Sequence, residues 1–211
     1  MELVGEIMDY IENMQNMLSA GYTMVEVAEN LYLNYHSVIN KDEVYRLRKA
    51  IAKKYDCNLN DVKLIGSSHT GYTYKCGKLL KRENPKDYDF AIINADVYIR
   101  FFHMVDIDQI EKKEKKMYIN GILRGKLHPL HAGKRFLKEL EKKNKEIMKE
   151  VDVSKHVSVC FYLSEKDFIA GLVKYNSELY TGELRRISEQ NVGIVDIDNF
   201  SVMKIVDKLE E

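Results

Sequence analysis

A mixed α/β (α+β) domain is the fold class this sequence predicts, on three observations. Short apolar runs at residues 61–65, 87–93 and 157–163 have strand length and are rich in Val, Ile, Phe and Tyr. Between and around them, apolar residues recur at three- and four-residue steps, the signature of helices with one buried face. The apolar fraction of 45% supplies enough side chains for a real core. Strands interleaved with helices in one chain of this length indicate sheet and helices packed in layers.

Residues 1–56 read as an N-terminal helical segment. Leu3, Ile7, Tyr10, Ile11, Met14, Met17 and Leu18 form an apolar stripe that Gly21 ends. Thr23 with Glu26 three residues on is a capping box for a second helix through Leu31. A third helix spans about residues 42–55, with Val44, Leu47, Ile51 and Ala52 inward and Arg46, Arg48, Lys49, Lys53 and Lys54 outward. Residues 22–38 look somewhat like a helix-turn-helix, with Ala28 allowing close approach and Leu31 and Val38 filling the interior. Tyr32 stands where that pattern usually has Gly. A plain helical cap is the simpler expectation, and a DNA-binding regulator using these helices is the alternative.

The remainder, residues 57–211, is expected to form the main domain with a C-terminal helical extension. A strand at 61–65 leads into a turn at 67–72, and a second strand opens at Asp87. The connection carries Lys75, Lys78, Lys81, Arg82 and Lys86, a basic loop or hairpin beside two acids. A helix follows over 95–109, then an exposed charged run at 111–116. Residues 117–127, with Gly121 and Gly125, fit either strand or loop. A Lys/Glu-rich helix at 133–150, the strand at 157–163, a helix capped by Ser164, a short strand at 194–197 and a last helix to Leu209 complete the expectation.

Charge and cysteine content bound the function. Lysine plus arginine and aspartate plus glutamate both number 33, so any nucleic-acid surface must be a local patch. Cys57, Cys76 and Cys160 are scattered, odd in number and without a C-x-x-C pair, which predicts free thiols and no structural zinc. The first residues lack a basic leader and no apolar run is long enough to span a bilayer, so a cytoplasmic protein without membrane contact is expected.

The chemistry concentrates in residues 62–93. Gly66-Ser67-Ser68 ends the first strand, and a Gly-Ser turn leading into a helix start presents backbone N–H groups suited to phosphate. Asp87 and Asp89 sit two apart at the mouth of the next strand, hence on one face, where paired carboxylates call for a cation. A Gly-Ser turn after a strand followed by Asp-Tyr-Asp-Phe opening the next resembles the DNA polymerase beta-like nucleotidyltransferase superfamily. Gly66-Ser-Ser-His-Thr-Gly71 is similar to the longer turn of its minimal bacterial and archaeal members, including those paired with toxins. The resemblance rests on about thirty residues. It implies a small mixed sheet of the nucleotidyltransferase type flanked by helices, with an N-terminal helical cap. It implies that Asp87 and Asp89 hold Mg²⁺ and act in catalysis, and that Gly66, Ser67 and Ser68 hold the phosphates of a nucleoside triphosphate. The nucleotidyl group would pass to a hydroxyl on RNA, protein or a small molecule. Active members carry a third carboxylate on a following strand. Residues 157–163 contain none; Glu165, Asp196 and Asp198 lie nearest in sequence. A catalytically inactive, nucleotide-binding or toxin-partner module of the same fold is therefore the second expectation.

Three histidines need weighing. His69, inside the turn, could touch phosphate but needs no function to be there. His128 and His131 are three apart beside Pro129 without further ligands at zinc spacing, so a plain loop is expected. Arg124, Lys126 and Lys134 around them form a second candidate basic patch. No Walker, His-Glu-x-x-His or Gly-x-Ser-x-Gly sequence occurs.

Overall fold

The computed structural model describes residues 9–35, 41–82 and 84–190, with the side chains of Glu189 and Gln190 left out. Leu3, Ile7, Val38, Asp196, Asp198 and the strand and helix expected beyond residue 190 lie outside the described residues.

A four-stranded mixed sheet organises the chain. Its strands are β1 (Val62–Ile65), β4 (Asp87–Ile93), β5 (Lys126–Leu127) and β6 (His156–Tyr162), in the order β1-β4-β6-β5. The central pair β4–β6 is parallel, with Asp89 opposite Ser158, and β1 and β5 run antiparallel to their neighbours. A separate two-stranded hairpin, β2 (Tyr72–Lys75) and β3 (Lys78–Lys81), accounts for the basic connection. Cys76 and Gly77 both have positive φ, which a two-residue turn matched to strand twist requires. The architecture is thus mixed α/β, as expected.

Alternation along the strands gives the sheet two different faces. One presents Val62, Leu64, Tyr88, Phe90, Ile92, Val157, Val159, Phe161 and Leu127 to the largest core. That face is covered by α3 (Lys41–Tyr55), α5 (Ala95–Phe102) and α7 (Lys134–Val151), through Leu47, Ile51 and Tyr55, Val97 and Phe101, and Phe136, Leu140 and Ile147. Tyr55 and Asn144 are both buried and share a hydrogen bond of 2.8 Å, so α3 and α7 meet through a satisfied polar pair.

The opposite face carries Ile65, Asp89, Ala91, Ile93, Ser158, Cys160 and Tyr162. Ala91, Cys160 and Tyr162 pack under Phe168 and Leu172 of α8 (Glu165–Gln190) and Tyr32 of α2 (Met24–Asn34). A third cluster joins α1 (Tyr10–Ser19), α2, α8 and the hairpin through Tyr10, Met14, Val27, Leu31, Tyr74, Leu79 and Leu179. The expected capping box is present, with Glu26 accepting from Thr23 N at 2.8 Å. Ser164 caps α8 as expected, its hydroxyl accepting from Asp167 N at 3.2 Å.

Two elements differ from expectation. The helix expected over 95–109 ends at Phe102, and a single 3₁₀ turn, Ile107–Gln109, precedes the next helix. That helix, α6 (Lys112–Ile122), absorbs the charged run read as exposed chain, and the undeclared glycine stretch becomes its end plus β5. Gly121 explains the join, because a Cβ there would stand 2.8 Å from the Lys126 carbonyl. No described helix is long and apolar enough to cross a membrane.

Candidate functional site

Gly66 is the hinge of the site. It follows β1 with φ +66° and ψ −155°, a conformation open to glycine and strained for any other residue. A Cβ at this position would lie 2.9 Å from Asp89 Oδ2. The turn and the second acid, twenty-three residues apart in sequence, are therefore pressed together. After the turn, α4 (Ser67–Thr70) closes on itself: His69 N and Thr70 N donate to the Gly66 carbonyl at 3.1 and 3.0 Å, and Gly71 N to that of Ser67 at 2.9 Å.

Ser67 and Ser68 have different surroundings. Ser68 is buried and its hydroxyl donates to the Asp87 carbonyl, tying the turn to the start of β4. Ser67 is only half-buried. Of the two predicted phosphate-holding hydroxyls, Ser67 is thus the more exposed.

Asp87 and Asp89 share the face of the sheet that α8 and α2 only partly cover, and both are half-buried. Asp89 Oδ1 accepts from the Ser158 hydroxyl across the parallel pair, while Oδ2 lies against Gly66. Burial pushes the Asp89 carboxyl above the ordinary carboxylate range. The Ser158 hydrogen bond opposes the shift, Asp87 adds to it, and His156 and Lys126 work against it. Among the described residues the carboxylate thus lies beside a like charge, with one hydroxyl donor and no direct ion pair.

Ser158 was not among the residues expected here, and Lys126 was expected only as part of the basic patch around His128 and His131. Alternation alone could have found Ser158, since it interrupts the apolar positions of residues 157–161 on the face shared with Asp89. Lys126, paired in register with Tyr162, has its Nζ 5.3 Å from the centre of that ring. Burial works against its ammonium, yet Cys160, the Tyr162 hydroxyl and Asp89 together keep its pKa above the ordinary value.

None of the three histidines weighed from the sequence bonds to Asp87 or Asp89 among the described residues. His69 packs among aromatic rings, its own 6.1 Å from that of Tyr10 and 5.9 Å from that of Tyr35. Its Nε2 is shut off from solvent and unpartnered among the described residues. Burial drops its pKa to about 4, so it is neutral at pH 7. The rings of His128 and His131 are 5.3 Å apart, and burial takes His128 to about 4 as well.

The donor set suits a magnesium ion that keeps most of its waters and shares the phosphates of a bound nucleotide, since such an ion needs only one or two protein carboxylates. A cage made wholly of protein is not on offer: no group of three or more His, Cys, Asp or Glu side chains placed to hold a metal occurs among the described residues. Comparison of the chain with protein-family models, curated proteins and solved structures finds no match to any of them.

Proposed function

We propose that the chain is an Mg²⁺-dependent nucleotidyltransferase-like protein that binds a nucleoside triphosphate at the Gly66 turn and the Asp87/Asp89 pair. The observation that carries this reading is the apposition of Gly66 and Asp89, where any side chain at residue 66 would collide with the carboxylate. A turn fit for phosphate and an acid pair with no direct ion pair among the described residues are thereby one site, as the resemblance to nucleotidyltransferases implies. Bound Mg²⁺ would neutralise phosphate charge and polarise the reacting oxygens. The protein's own part is positional. Ser67 orients phosphate, Ser68 fixes the mouth of β4, and Ser158 sets the rotation of the Asp89 carboxylate.

A specific observation favours a second reading, nucleotide binding without turnover. The residue facing Asp89 on the neighbouring parallel strand is Ser158, and the described residues provide no third carboxylate beside the pair. A serine hydroxyl cannot serve as a general base at neutral pH without one of its own.

The test is transfer of label from α-labelled nucleoside triphosphate to protein, RNA or small-molecule acceptors, in the wild type and in Asp87→Asn and Asp89→Asn. Transfer lost by at least about a hundredfold in both variants identifies an enzyme. Tight metal-dependent binding with no transfer identifies the binding module. Transfer undiminished in the variants removes both acids from the chemistry.

A further inference from the structure

The hairpin that separates the turn from the acid pair carries a face of its own. Residues 72–82 contain Lys75, Lys78, Lys81 and Arg82 and no acid, within a chain whose charges balance as a whole. Register sorts them. Tyr74 and Leu79 are paired and turn inward, with a Cβ at Gly182 of α8 only 2.8 Å from the Tyr74 ring. Lys81, paired with Tyr72, is spent on Asp9 at 3.2 Å. Alternation then places Thr73, Lys75, Lys78 and Leu80 on the outer face.

Arg82 continues that outer row. Its N–H donates to the Gly71 carbonyl at 2.7 Å, so the ladder runs directly into the glycine turn. Lys75, Lys78 and Arg82 are exposed, and none forms an ion pair among the described residues, with Asp87 and Asp89 or with any other acid. At the far end, Arg185 of α8 adds a cation beside Gly77, held by a 3.2 Å hydrogen bond to the Tyr74 hydroxyl. The row from Lys75 to Gly71 spans about 13 Å at the rise of a strand. Lys75 and Lys78 face each other at the tip and Arg82 stands at the root, so exposed cations mark both ends of a face rooted at the candidate phosphate turn.

We propose that this face is the docking track for a single nucleic-acid strand, whose end is thereby delivered to the Gly66–Asp89 site as the hydroxyl acceptor. The assignment rests on the nucleotidyltransferase reading for its purpose, but the binding itself does not. A face of this length meets a few consecutive backbone phosphates, and a backbone track needs charge and spacing rather than base-reading groups. Leu80 is the only apolar residue on the outer row, too little to insert into a bilayer. Exposed cations that begin at a phosphate-handling turn and recur at the hairpin tip, with no acid among residues 72–82, fit a polymer of phosphates whose end lies at that turn.

The experiment is fluorescence anisotropy of a labelled oligouridylate in EDTA over a salt series, with the full chain and Lys75→Ala/Lys78→Ala/Arg82→Ala. The wild type should bind with a negative salt slope. The triple variant should keep its melting temperature, lose most of its affinity and flatten the slope by about 2, at about 0.7 for each phosphate no longer neutralised. Lys138→Ala/Lys142→Ala/Lys145→Ala on α7 should bind as wild type does. Equal weakening by the two triple variants would reduce the effect to overall charge and overturn the proposal. So would an unchanged salt slope in the hairpin variant, or competition by polyglutamate as effective as by RNA. Because EDTA is present and neither acid is altered, loss of nucleotide binding in Asp87→Asn or Asp89→Asn bears on the reading of the site and leaves this result untouched.

Discussion

Asp89 is where the physical tension of the molecule gathers. Burial and the neighbouring Asp87 hold its pKa above the ordinary value, with only Ser158 donating to it directly. A carboxyl whose folded pKa exceeds its unfolded one contributes stability that is present below the unfolded pKa and is lost as pH rises through the folded one. At neutral pH the metal-free protein therefore carries the cost of an ionised Asp89. Asp89→Asn should raise the melting temperature at pH 7, because it removes a buried charge that the fold disfavours. The gain should vanish at pH 3, where both side chains are neutral. Thermal melts of the two proteins across pH check it, and a melting temperature lowered at pH 7 would show that the Asp89 carboxylate stabilises the fold. His69 has the opposite sign. With its pKa dropped to about 4, it contributes stability above its unfolded value near 6.5 and loses it as pH falls toward 4.

At the scale of elements, α3 shows how a basic helix can be structural. Arg48 donates to the carbonyls of Val62 at 2.8 Å and Leu59 at 3.1 Å, and Arg46 to that of Val151 at 3.2 Å. Lys53 and Lys54 pair with Glu150 and Glu146 of α7. Four of the five cations that suggested a DNA-reading helix, all but Lys49, bond to the protein itself, and α3 packs on the sheet and α7 while α2 packs on α1 and α8. Arg48→Ala should cost about 1–3 kcal/mol in urea denaturation, because it removes two hydrogen bonds from a charged donor to backbone carbonyls. A loss of DNA affinity with stability unchanged would instead restore the helix-turn-helix expectation. The residue pattern alone showed a third amphipathic helix with cations outward. It could not show that α7, a hundred residues later, supplies the partners, since nothing local encodes that packing.

For the whole molecule, what was legible in the sequence was whatever repeats with a short period. The strand Asp87–Ile93, the capping box at Thr23, the cap at Ser164 and the long α7 all follow from alternation, helical spacing or a known cap. The end of α5 at Phe102 was missed because Val105 keeps the four-residue apolar spacing of Val97 and Phe101, and the start of α6 at Lys112 because a run of lysines and glutamates reads alike as helix or exposed chain. In the site, the acids and the glycine turn were legible; alternation marks Ser158 and charge marks Lys126, but that both approach Asp89 arises only from the β4–β6–β5 register. That the turn and the acid pair form one nucleotide-and-metal site is the central claim. Its most direct measurement is the thermal shift produced by nucleoside triphosphate with and without Mg²⁺ in the wild type and in Asp87→Asn/Asp89→Asn. The predicted result is stabilisation by triphosphate that requires Mg²⁺, about 2.7 kcal/mol at a hundredfold excess over the dissociation constant, and none in the double variant. Equal stabilisation of both proteins, or none in the wild type across the common nucleotides, would contradict it.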